Sequence, residues 1–173
     1  MALLPPSSET IVLSALCAGL GGGAIVDTAR RRIPNAISLG IAAAGFLLAA
    51  TGASGISVAS SLLGFFLGFA LMMPGHIFGA MGAGDVKMFA AAGTLLGLEH
   101  VVPAFLFTAI AGGALALGVA WWRGRLGRTM KFTARLCGRP AEAKADIESP
   151  VEHNRFPYGP AIAVGCVLAA LVS

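Results

Sequence analysis

Uncharged apolar runs, broken by short polar or glycine-rich stretches, dominate this chain from end to end. A bilayer core about 30 Å thick needs roughly 20 apolar residues in a helix. Six candidate spans are read at about that scale: residues 10–26, 36–54, 56–73, 85–99, 101–122 and 156–173. Pro74-Gly75 is expected to break or end the third. The fifth has no charge and ends in Trp121-Trp122, suited to the aromatic belt of a membrane interface. The expected fold is all-α, a polytopic membrane helix bundle of about six transmembrane helices, one membrane-embedded domain over 1–173.

Composition agrees with that pattern. Of 173 residues, 57% are hydrophobic and 12% charged, against about a quarter charged in soluble domains, so a water-soluble globule is excluded. The formal charge of +4 would fit nucleic acid only if the basic residues formed a binding face. They do not: all 12 lie in three connections. Arg30, Arg31 and Arg32 fall in 27–35, Lys87 in 81–87, and Arg123, Arg125, Arg128, Lys131, Arg135, Arg139, Lys144 and Arg155 in 123–155. Lys and Arg are retained in cytoplasmic loops, so this distribution reports orientation. The short fourth span decides the topology. If it failed to cross, the last basic loop would lie opposite the first. Six crossings instead put all three loops in the cytoplasm and both termini outside. The opening segment carries Glu9 before its apolar run and arginines after it, the reverse of a signal peptide.

The loop 123–155 is too short for a core of its own. Trp122, Leu126, Met130, Thr133 and Leu136 recur every three or four positions, as in a helix lying on the membrane surface; a solvated loop is the alternative. Its acids Glu142, Asp146, Glu148 and Glu152 could attract a basic peptide. Cys17, Cys137 and Cys166 show no ligand or disulfide spacing and read as packing residues. His76, His100 and His153 show no metal-site spacing. No metal and no cofactor are expected.

Two acids sit at membrane edges. Asp27 closes the first span, and Asp85 opens the fourth within Gly82-Ala83-Gly84-Asp85-Val86-Lys87. Taken singly, Asp27 could be neutralised by the arginines and Asp85 could be a helix N-cap. Gly82 and Gly84 leave space for an extended backbone beside Asp85. The topology puts both acids on one face, where helix packing could pair them. Two carboxylates sharing one proton supply a base to activate water and an acid for a leaving amine, as in aspartic proteases. Helix ends favour Asp85 as the ionised base and Asp27 as the protonated acid. An ion-coupled transporter, a membrane phosphotransferase and a non-catalytic assembly subunit are the competing classes.

At these residues the sequence resembles the type IV prepilin peptidases, membrane aspartic proteases with a Gly-x-Gly-Asp motif. The match comprises Asp27 followed by Arg31-Arg32-Ile33-Pro34-Asn35, the run from Gly82 to Lys87, and Pro157-Tyr158-Gly159-Pro160-Ala161. The resemblance implies removal of the basic leader of pilin precursors at the cytoplasmic face of a prokaryotic inner membrane. Asp27 and Asp85 would be the catalytic pair, with Gly82, Gly84, Lys87, Pro34 and Asn35 in substrate-binding or supporting places. The implied partners are a prepilin or pseudopilin and the lipid bilayer, with no nucleic acid. Longer members carry a domain with paired cysteines between the first two spans, associated with N-methylation; here only 27–35 stands there. The chain looks like the short branch serving tight-adherence (Flp) pili, which puts N-methyltransferase activity in doubt.

Overall fold

In a bilayer an apolar run must pair its own amides and carbonyls, and a helix does so within one segment. The computed structural model describes residues 6–30, 33–79, 81–122 and 158–172, and these are all-α. The helices are α1 (Pro6–Arg30), α2 (Asn35–Ala50), α3 (Val58–Ile77), α4 (Ala83–Trp122) and α5 (Gly159–Leu171). Ser8–Ala29, Val58–Ile77 and Ala83–Val119 are long and apolar enough to cross a membrane, whereas α2 and α5 are shorter apolar helices. Ile25, Leu39, Phe66, Ile110 and Trp122 are exposed, and such a surface suits lipid contact. The protein is an all-α membrane helix bundle.

α4 is two arms. Gly97 breaks it with φ 70° and ψ 180°, a region that is essentially glycine-only. Phe89 and Phe105, sixteen residues apart, would be separated by about 24 Å in a straight helix. Their ring centroids are 6.2 Å apart, so the second arm folds back along the first. Ser60 Oγ accepts the Leu98 amide at 3.0 Å, which caps the second arm as it leaves the turn. The expected fourth and fifth spans are therefore present, but they divide at Gly97, ahead of Glu99 and His100. Backbone freedom at the glycine sets the break; charge does not.

The first arm of α4 is the centre of the bundle, and Met88, Phe89, Ala90 and Ala92 on it are fully buried. Gly64 of α3 and Gly93 of α4 meet backbone to backbone: a Cβ at Gly64 would collide with the Gly93 carbonyl. One turn away in opposite directions, Gly68 lies against the Phe89 and Ala90 backbone and Gly97 against Ser60 and Ile56. Small residues four apart let helices approach closely where no water drives them together. Ser61 adds a bond across this interface, donating to the Thr94 carbonyl at 2.7 Å.

Several boundaries differ from expectation. α3 passes through Pro74 and ends at Ile77, and Phe78 N–H closes its last turn on the Pro74 carbonyl at 3.0 Å. Proline removes one donor, and membrane helices tolerate that where neighbours re-satisfy the backbone. α2 stops at Ala50 instead of 54, and α5 begins at Gly159 instead of 156. Cys166 packs in the core, but Cys17 is exposed on α1. The readings made for 123–155, including Cys137, His153 and the four acids, lie outside the described residues, as do Arg31 and Arg32.

Candidate active site

The alternation of helices carries Asp27, Asn35, His76, Asp85 and Tyr158 to one end of the bundle. Asp27 lies in the last turn of α1 and Asp85 in the first turn of α4. Both are buried, at 6% and 7% exposure, and the charge of Asp27 acts on Asp85. Burying a carboxylate is costly unless hydrogen bonds replace its water. Among the described residues, each accepts one such bond from a backbone amide.

Asp85 Oδ2 accepts the Gly82 amide at 3.0 Å. The Gly82 carbonyl in turn accepts the Asp85 and Val86 amides, so Gly82 caps α4 and Asp85 is its third residue. The alternative reading of Asp85 as the N-cap is thereby replaced. Its side chain reaches back to the cap amide, as the acid of a capping box does. A Cβ on Gly82 would stand 3.3 Å from Asp85 Oδ2, so the bare glycine keeps this approach open.

Asp27 Oδ2 accepts the Gly159 amide at 3.0 Å. That amide is the first of α5, and helix N-termini favour anions. The helix-end argument that separated the two acids therefore no longer does so: Asp27 closes its own helix but faces the opening of another. Gly159 must lack a side chain, because a Cβ there would lie 2.9 Å from Asp27 Oδ2 and 3.3 Å from Ala24 Cα. Tyr158 precedes it, half-buried, with its ring over Gly112 in the second arm of α4, where a Cβ would collide with the phenol oxygen. The charge of Asp85 also acts on Tyr158.

The supporting residues tie the loops together. Lys87 Nζ donates to Asn35 Oδ1 at 3.1 Å, linking the starts of α4 and α2. Pro34 precedes α2, and its carbonyl accepts the Ile37 amide at 3.0 Å. The space beside Gly84 is taken by Ile33, whose Cβ would be 3.2 Å from an added Cβ. Gly84 therefore joins the 33–35 turn to α4 and does not leave a channel. All seven predicted residues fall at this end. In the sequence the late motif Pro157-Tyr158-Gly159-Pro160-Ala161 marks Tyr158 and Gly159 but names no partner for them.

A membrane bundle bringing two buried acids to one end, on the first turn and last turn of different helices, has the layout of a membrane-embedded carboxylate-pair protein. The chain belongs to the type IV leader peptidase family, which matches residues 12–117. Two curated relatives are prepilin leader peptidase/N-methyltransferases from Burkholderia pseudomallei, strains 1026b and K96243. Each is 31% identical over 134 residues, covering 73% of this chain and 42% of the relative. The chain thus spans about two fifths of the length of these relatives. No solved structure matches it. The family match includes Asp27 and Asp85 and stops short of α5.

Proposed function

We propose that this protein is an aspartic endopeptidase that cuts the basic leader from type IV prepilins of the Flp kind, or from related pseudopilins. It would act from the cytoplasmic side of the inner membrane of a prokaryote. The observation that supports the reading is the burial of Asp27 and Asp85 at the same end of the bundle, each accepting a hydrogen bond from a backbone amide. Family membership supports the reaction class, and the relatives' names supply the substrate class.

The reaction uses one proton shared by two carboxylates. Like charges at close range cannot both ionise cheaply, so the pair holds one negative charge. The ionised member takes a proton from water as the water oxygen bonds to the scissile carbonyl carbon. The protonated member then gives its proton to the departing amine as the C–N bond breaks. Lys87 and Asn35, bonded to each other, brace the two connections that carry the acids. Only the peptidase half of the relatives' double name is proposed.

Purified protein in lipid, incubated with a candidate prepilin, should yield a new pilin N-terminus by sequencing. Asp27→Asn and Asp85→Asn should each abolish that product while inserting normally, and the wild-type rate should follow a bell-shaped pH profile. Product formation by either inserted variant would reject the carboxylate pair. Ion flux through proteoliposomes without cleavage would point to a transporter instead.

A further inference from the structure

The peptide unit joining Met81 to Gly82 is held from both sides. Its N–H belongs to Gly82 and donates to Asp85 Oδ2 at 3.0 Å. Its C=O belongs to Met81 and lies 3.2 Å from Nδ1 of His76, in the last turn of α3. A carbonyl can only accept, so Nδ1 carries the proton in this contact, whether the ring is the neutral δ tautomer or imidazolium. A second contact backs the first. The Met81 side chain lies over Gly75, where an added Cβ would stand 2.7 Å from Met81 Cε. The end of α3 thus grips Met81 by its carbonyl and by its side chain, and the next amide in the chain holds Asp85.

Hydrogen bonds in series polarise one another. A proton donated to the Met81 oxygen draws electron density from the amide and makes the Gly82 N–H a better donor to the carboxylate. It also fixes the plane of that peptide, and hence the direction in which the N–H points. We infer that His76 is a positioning residue for Asp85, acting through the Met81–Gly82 peptide. The inference rests on the proposed role of Asp85 as one of the catalytic pair. Among the described residues, the other titratable groups that act on Asp85 are Asp27 from α1 and Tyr158 ahead of α5. On its own helix Lys87 is engaged with Asn35 of α2. His76 acts on Asp85 from α3 without contact.

The test compares three full-length variants in lipid with the wild type. His76→Asn keeps an N–H two bonds from Cβ, where Nδ1 stands. His76→Gln moves the donor one bond further out, and His76→Leu removes it. Loss of one ordinary hydrogen bond corresponds to roughly a fivefold effect. The expected result is a kcat about fivefold lower in His76→Leu and His76→Gln with KM unchanged, and wild-type kcat restored in His76→Asn. In protein labelled with ¹⁵N-glycine, the Gly82 amide proton should move upfield in His76→Leu and return in His76→Asn. If His76→Leu does not insert, the contrast of His76→Gln with His76→Asn serves alone. Wild-type kcat in His76→Gln, or His76→Asn as slow as His76→Gln, would overturn the inference; the latter would make the ring itself the requirement. A wild type that cuts no prepilin would reject the proposed function, and the Gly82 resonance would still decide whether His76 controls that amide.

Discussion

At the residue scale, one missing methyl group governs Asp27. Gly159 brings its amide to the carboxylate only because nothing projects from its Cα toward α1. In Gly159→Ala the new Cβ would force α5 back from Asp27 and Ala24, lengthening a bond to a charged acceptor. Such bonds are worth about 1.5–3 kcal/mol, so leader cleavage should fall at least roughly tenfold while the protein still inserts. A steady-state assay giving the wild-type rate for this variant would show that the amide does not serve Asp27. Lys87 provides the contrast. Its bond to Asn35 is exposed, where such contacts contribute about 0–1 kcal/mol. Lys87→Met should therefore cost no more than a few-fold in rate, and a complete loss would assign Lys87 a direct role with substrate.

Among the elements, α4 controls how the bundle is assembled. Its reversal needs Gly97 at φ 70°, and a Cβ there would also press within 2.8 Å of Ser60 Oγ. Gly97→Ala should lower the unfolding midpoint in detergent, with a penalty of about 1–3 kcal/mol for the backbone conformation. Ser60→Ala removes only the cap on Leu98 and should cost about 1 kcal/mol. An unchanged midpoint in Gly97→Ala would mean that the backbone there accepts a side chain without strain. Both sites lie at the end away from the acids, so the folded fraction should keep its cleavage rate. Gly64→Val, by contrast, pushes α3 off the first arm of α4 along their whole contact. It should disturb stability and activity together, since α3 also carries His76.

For the molecule as a whole, the testable quantity is sidedness. Among the described residues, six helical segments alternate in direction once α4 is counted as two arms, and this brings Asp27, residues 33–35 and residues 81–85 to one end. Single cysteines at Ala29, Ala83 and Ala141 should be labelled from one side of the membrane, the cytoplasmic one. Labelling of Ala83 and Ala141 from opposite sides would break the positive-inside argument on which the proposed orientation stands.

Hydropathy alone determined that this is an all-α membrane protein, because a run of uncharged residues has one economical way to satisfy its backbone in lipid. The two acids were legible for a related reason: a carboxylate at a membrane edge is costly enough to stand out from its surroundings. Sequence also marked the glycines beside Asp85, but it could not say which spaces they left open. Ile33 fills the one at Gly84, and only packing reveals it. The helix-end contrast between the acids was incomplete in the sequence for the same reason. Asp27 was read at the end of its own helix, whereas its amide comes from α5, far along the chain. The N–H from Gly159, the seat of Tyr158 over Gly112, the break at Gly97 and the contact of His76 with Met81 all depend on helices meeting at particular depths and rotations. Those are set by small-residue contacts between segments, and hydrophobic periodicity carries no information about them when every face of a helix is apolar.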